Sequence, residues 1–353
     1  MNKVRSITVI CWAISAAAFL GLVIWIFASG IFLNVGIRGF GGISSFQPVG
    51  TYSVSADSIN SMRIDWTAGA VSIDVHSGDD IQITEFAQGR LRDNEYLEYN
   101  FDGETLTINF TAHRAMRNNM PPKQLEVLIP YALSQSFESV QVNTVSGRVD
   151  IRDIHAESFT AGTISGRIEL HGIISQTLNA STTSGRIEVF GIQADEITLR
   201  TTSGRIGTTD TQAGEMYLRT ISGRIETLDT QAQSLRTQTT SGRHGIYGSF
   251  GSVNATSTSG RHELSGSFGN VNVRSTSGRV EITSTTLPEH LAAHATSGRI
   301  SVTVPNDGAI SIAHSTTSGR FTSAIPVTTN AGADAQFNLS TSSGRISVFA
   351  LPG

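Results

Sequence analysis

A Ser-Gly-Arg tripeptide recurs eleven times between Ser146 and Arg345, and this periodicity constrains the fold more than any other feature of the chain. The motif arginines are Arg148, Arg167, Arg186, Arg205, Arg224, Arg243, Arg261, Arg279, Arg299, Arg320 and Arg345, spaced by 19 five times and then by 18, 18, 20, 21 and 25. Repeats of about 20 residues are units that bury their apolar faces only against their neighbours, which is the signature of a stacked architecture. A period this short leaves room for two short strands and two bends in each coil.

Alignment on the arginine exposes the pattern. Eight positions before it stand Val140, Phe159, Leu178, Ile197 and Met216, continuing to Phe337; one position after it stand Val149, Ile168, Ile187, Ile206 and Ile225. Ile151, Leu170 and Val189 follow two residues later. Residues two apart share a strand face, so these columns point inward while the arginine and its second successor point outward. That outer partner is acidic in six coils, as Asp150, Glu169, Glu188, Glu226, Glu263 and Glu281. The position four before the arginine is Thr in eight coils, Ser in two and Ala295 in one, which predicts an internal hydroxyl ladder. The motif glycine suits a bend that needs positive φ or close backbone approach. Proline, which removes a ladder donor, is absent between Tyr131 and Leu287.

The reading is therefore all-β: a single-stranded parallel β-helix of short coils, regular over 140–353 and irregular over 56–139. The irregular part is carried by Met62 to Ile64, Val71 to Val75, Ile81 to Ile83, Leu106 to Phe110 and Leu125 to Ile129, which alternate without the tripeptide. The 27 residues from Ile7 to Leu33 carry no charge, long enough at about 1.5 Å per residue to cross a bilayer as a helix. Lys3 and Arg5 before that stretch predict a cytoplasmic stub at 1–6, an anchor at 7–33, a Gly/Ser-rich spacer at 34–55 and an extracytoplasmic remainder. A cleaved signal peptide is the competing reading, although its apolar region runs only about 7–15 residues. The single cysteine, Cys11, excludes an intramolecular disulfide and a cysteine-based zinc site. From Val140 onward sixteen Arg balance sixteen Asp plus Glu, so bulk charge argues for no particular partner, and no nucleic acid is expected.

The chain resembles the bacterial putative-adhesin β-strand-repeat family of membrane-tethered or secreted surface proteins. The resemblance covers roughly 58–349. It rests on the strand from Ile64 to Val75 with Ser77-Gly78-Asp79, on Gly103-Glu104-Thr105-Leu106-Thr107-Ile108, on Leu125 to Pro130, and on the recurring Thr-x-Ser-Gly-x-Ile pattern. It implies a parallel β-helix and a surface role, either adhesion or envelope stress sensing. Relatives often carry Asp after Ser-Gly, where this chain carries Arg.

The arginine column has two readings, a folding device paired with the acid column and a cationic strip for a polyanion. Arg299, Arg320 and Arg345, whose outward partners are Ser301, Thr322 and Ser347, are the candidate anion-binding residues. The outward Thr column, with Thr183, Thr202 and Thr240, is broken by Val145, Ile164 and Ile221, and threonine favours strands anyway. His244 and His262 replace the inward Ile, and His290 and His294 lie four apart; a metal site needs three or four convergent ligands, so packing variants are expected. The carboxylates are spread one per coil, which argues against polysaccharide cleavage, and no cofactor is expected. The expectation is a non-enzymatic, membrane-anchored adhesin or surface interaction protein whose partner is a surface glycan or polyanion. The alternative is an envelope sensor or regulator that acts through a membrane protein partner.

Overall fold

The computed structural model describes residues 46–110, 121–326 and 332–351. The proposed stub and anchor, and residues 34–45 of the proposed spacer, lie outside these; the end of that spacer is corrected to strand, Gln47–Ser55, hydrogen-bonded in the sheet. Among the described residues no helix is long and apolar enough to cross a membrane. The strands are β1 (Gln47–Ser55), β2 (Ser61–Ala68), β3 (Ala70–His76), β4 (Asp80–Ala87), β5 (Glu98–Phe101), β6 (Thr105–Phe110) and β7 (Lys123–Pro130). After one helical turn, Tyr131–Ser134, come β8 (Phe137–Ser146), β9 (Val149–Arg152), β10 (His155–Ser165), β11 (Ile168–His171), β12 (Ile174–Ser184) and β13 (Ile187–Phe190). The chain ends with β14 (Gln193–Ser284), β15 (His290–Ser297), β16 (Ile300–Val304), β17 (Ile310–Ser323) and β18 (Ala335–Ala350). β14 is 92 residues long because ladder bonding continues around the corners of five successive coils.

Each coil is a long strand, a Ser-Gly-Arg corner, a short strand and a second corner. The registers are in phase: Phe159 lies between Val140 and Leu178, and Glu169 between Asp150 and Glu188. Every repeat thus places like on like, and the inward residues form continuous buried columns, with Val149, Ile168, Ile187, Ile206 and Ile225 fully enclosed. Full burial of such a side chain contributes about 1.5–3 kcal/mol. Two further inward columns complete the core. One lies six before the arginine (Val142, Ala161, Ala180, Leu199, Leu218) and one six after it (Ile154, Ile173, Ile192, Thr211, Thr230).

The Ser-Gly-Arg corner is where coils approach most closely. The amide N–H of Gly147 donates to the carbonyl of Ser165 at 3.1 Å, Gly166 to Ser184 at 3.2 Å and Gly185 to Ser203 at 3.2 Å. A Cβ on any motif glycine would lie 1.7 to 1.9 Å from a glycine carbonyl oxygen in the coil beneath. Only glycine fits. Gly69 occupies the same column without the tripeptide, with φ +103° and the Lys123 carbonyl 1.8 Å from its Cβ position. The second corner turns through a left-handed residue five after the arginine: Asp153 (φ 54°), Gly172 (62°), Gly191 (63°), Asp210 (50°) and Asp229 (47°). Asp and Gly enter that region at least cost. Where Gly248 and Gly266 adopt φ 151° and 153° instead, the spacing between motif arginines falls to 18.

Two expectations of a simple parallel helix are corrected. The sheet is mixed, because β4 runs antiparallel to both β1 and β7, and β5 antiparallel to β6. Chain order is also not stack order at either end. β2 lies directly on β8, with Met62 against Val140, and β6 covers its other side. At the C-terminal end β18 pairs with β15, Leu291 against Phe337, and β17 then pairs with β18, Ile312 against Phe337. The first parallel coil, opened by β2, and the last strand, β18, are therefore each held one coil inside the stack, while β1 forms the outer edge against β4. Spacing along the sequence carries no record of this, since a coil is apolar on the same face whichever neighbour it meets.

The N-terminal end closes over a buried charge. Lys123, fully enclosed, pairs with the equally buried Glu85, donates to the Glu95 carbonyl at 2.5 Å and sits 3.3 Å from the Phe110 ring centre. Burial lowers its pKa, while Glu85 opposes the shift.

Two outcomes test this architecture. Gly204→Ala, whose new Cβ would meet the Gly185 carbonyl at 1.7 Å, should cost about 3 kcal/mol or more in denaturant unfolding. Deletion of residues 335–353 should abolish amide protection in β17 as well, because β18 is its strand neighbour; protection surviving in β17 would reject the interleaved order.

Candidate functional site

The arginine and acid columns interlock between coils. Arg148 bonds Asp150 of its own coil at 2.8 Å and also Glu169 of the next, and Arg167 reaches Glu169 at 2.7 Å and Glu188 at 3.5 Å. Arg205, which has Gly207 where an acid would stand, crosses to Glu226. Arg186, Arg224, Arg261 and Arg279 pair with Glu188, Glu226, Glu263 and Glu281 at 3.3 to 4.0 Å. These arginines are about half exposed, where each pair contributes only about 0–1 kcal/mol. Their role is to neutralise a line of stacked cations.

Among the described residues Arg243, Arg299, Arg320 and Arg345 make no ion pair. Arg243 has Gly245 two residues on, and Glu263 in the next coil accepts from the Tyr247 hydroxyl at 3.0 Å. The other three are brought together. Gly344 packs on Gly298 and Gly319 on Gly344, so the stack order is Arg299, Arg345, Arg320, in three consecutive coils. All three are exposed. Ser301 aligns with Ser347, and Thr322 donates to Ser347 at 3.1 Å, so hydroxyls line the positions that hold acids elsewhere. Strands about 4.8 Å apart set the spacing of these guanidinium groups, which suits a row of anionic oxygens.

The inward hydroxyl column bonds mainly to backbone. Thr201 and Thr220 reach the carbonyls of Gly185 and Gly204 at 3.5 Å, and Ser257 meets Ser275 at 3.2 Å. Thr144, Thr163 and Thr182 have no partner among the described residues. Polar groups concentrate in the core of the middle coils, where Thr208, Thr227, Thr230, Thr237, His244 and His262 are all buried. The two histidine rings lie tilted by 36° with centres 4.4 Å apart. His244 Nδ1 bonds Thr237 at 2.7 Å and His262 Nε2 bonds Ser257 at 2.6 Å, while the other nitrogen of each ring has no partner. Among the described residues no three His, Cys, Asp or Glu side chains are placed to hold a metal ion. His294 bonds Ser340 at 2.6 Å.

Burial holds the pKa of His244 down at about 3, with His262 adding to the effect, and that of His262 at about 4. In the unfolded chain both titrate near the ordinary value of about 6.5. The unfolded state thus binds more protons between these limits, and stability present above pH 6.5 is lost as pH falls toward 4. The slope is at most about 1.4 kcal/mol per pH unit for each ring. Urea unfolding of the wild type at pH 7.5 and 5 should show this loss, and a His244→Ile, His262→Ile double variant should flatten it; equal slopes in both would reject the assignment.

The fold and its edge define a class, a solenoid-like stack of short β coils joined through a glycine corner and an ion-paired margin. The chain belongs to the Toastrack DUF4097 family, whose profile matches residues 59–260 and 248–349, in agreement with the resemblance drawn from its motifs. No functionally curated protein matches the sequence. Similar solved structures include a putative adhesin of Parabacteroides distasonis, 12% identical with a TM-score of 0.40, covering 86% of this chain and 98% of that one. A putative adhesin of Parabacteroides merdae is 11% identical, with a TM-score of 0.37 and coverage of 84% and 95%. A putative lipid binding protein of P. distasonis is 12% identical, with a TM-score of 0.33 and coverage of 84% and 96%.

Proposed function

We propose that this chain is a non-enzymatic surface protein, held at the cell membrane by a single pass through residues 7–33, with the coil stack outside as a rigid interaction module. Its regular body is read as a single-stranded parallel β-helix that presents one edge to an anionic surface polymer. The observation that carries this reading is the run Arg299, Arg345, Arg320, three exposed guanidinium groups in adjacent coils with hydroxyls in place of acids. Elsewhere along the same edge the acids of the coils engage the arginines, which leaves them committed to the stack rather than free for acid–base chemistry.

The test uses full-length protein in detergent with teichoic acid, alginate and polygalacturonate as probes. Binding should weaken with salt, as exposed charge contacts do, and a variant with Arg299, Arg320 and Arg345 all changed to Ala should lose at least about tenfold in affinity, roughly 1.4 kcal/mol. Unchanged binding in that variant would sink the anion edge. In cells, deletion should reduce attachment to surfaces; an altered response to envelope-active antibiotics with normal attachment would instead favour sensing through a membrane partner.

A further inference from the structure

A second surface lies on the outer face of the long strands, away from the arginine corner. A shallow groove of about 790 Å³ runs there along the stack, from the coil of Arg243 to the terminal coils. It follows two outward columns, nine and seven positions before each motif arginine. The seventh-position column reads Tyr217, Arg236, Asn254, Asn272, Ala292 and Asn338 in stack order, and the registers hold it in line, with Asn272 beside Ala292 and Ala292 beside Asn338. Beside it run Ser252, Asn270 and His290, with Asn270 paired to His290. The floor is backbone, supported from within by the buried side chains of Val253, Val271, Leu291 and Phe337.

Three properties specify what such a groove can take. Asn254, Asn270, Asn272 and Asn338 make no side-chain hydrogen bond among the described residues, so a row of amides faces solvent, each with two donors and an acceptor. No carboxylate lines the groove. At one end the lining residue Arg236 sits 5.8 Å from the ring centre of Tyr217, whose other neighbour is Arg200 at 5.3 Å and whose hydroxyl donates to Gln238 at 3.1 Å.

We propose that this groove binds a linear, uncharged polysaccharide laid along the stack axis, with successive sugars meeting successive coils. Amides that both donate and accept match neighbouring hydroxyl pairs, and the Arg236 guanidinium at one end adds planar donors for ring hydroxyls. A small molecule is a poor fit, because small-molecule sites are enclosed and mainly apolar. A nucleic acid would need cations all along the floor, and here they stand at one end. An added peptide strand is excluded on this face because its backbone groups are already paired in the ladders. Each hydrogen bond here adds only about 1 kcal/mol, so useful affinity needs many of them in series, which a polymer supplies.

The groove shares no residue with Arg299, Arg320 and Arg345, so the two sites fail separately. Affinity electrophoresis of the full-length chain in detergent, through gels containing dextran, laminarin or xylan, tests the groove, with alginate and polygalacturonate as anionic comparators. At least one neutral polymer should retard the protein. An Asn254→Ala, Asn272→Ala double variant should bind it about tenfold more weakly, as the loss of two such hydrogen bonds predicts, with an unchanged circular dichroism spectrum, and Asn338→Ala should weaken it less. The triple arginine variant should bind it normally. Retardation by none of the neutral polymers, equal retardation of wild type and double variant, or loss in the arginine variant would each overturn the proposal.

Discussion

The approach of one glycine carbonyl to the next glycine governs the rest of the molecule. At the motif corner the space above each carbonyl is too small for any side chain, and the adjacent serine carbonyl accepts the glycine N–H one coil away. This fixes the register, since sliding a coil by one residue would put Ser or Arg where only hydrogen fits. With register fixed, apolar residues fall on apolar residues and the arginine falls beside the acid of its own and the following coil. The ion pairs are thus a consequence of the glycine column. Their weakness at an exposed margin costs the fold little.

Much of this was legible because the relevant interactions are local in the repeat. Strand alternation names the inward columns, and the buried residues Phe159, Leu178, Ile168 and Ile187 stand where it puts them. The second corner was also written in the chain, as Asp or Gly five residues after the arginine in the first seven repeats, but it is a two-letter signal easily lost beside an invariant tripeptide. Gly69 shows the opposite difficulty, a column member without the motif, identifiable only once the Lys123 backbone is seen against it. The interleaved ends were out of reach, because identical coils cannot declare which neighbour they choose. For the site, Arg299, Arg320 and Arg345 follow from the missing acids, whereas their adjacency depends on β18 slipping between β15 and β17. The groove residues Asn254, Asn272 and Asn338 were passed over, since asparagine on a strand's outer face reads as ordinary solvation until a concave surface aligns it.

The core is not uniform along the stack, and its chemistry separates support from display. Early and late coils are filled with Ile, Leu, Val and Phe, whereas the middle coils place threonines and two histidines inside. Buried hydroxyls and imidazoles stabilise less than the aliphatic groups they replace, even though these threonines are hydrogen-bonded and only one nitrogen of each histidine lacks a partner among the described residues. The outer face over these same coils carries Tyr217, Arg236 and the first of the groove amides. The middle of the molecule therefore combines its most polar core with the start of the outer groove.

The interleaved ends also bear on how such a molecule can change in size. A coil from Arg167 to Arg279 meets only its sequence neighbours, so duplicating or deleting a segment of one period there returns every residue to an equivalent environment. The same event at either end would strand the inserted coil, because β2 and β18 each hold a seat between two others. Growth by tandem copying is thus confined to the interior. The outermost coils behave as bookends, free to diverge in sequence while the shelf between them lengthens.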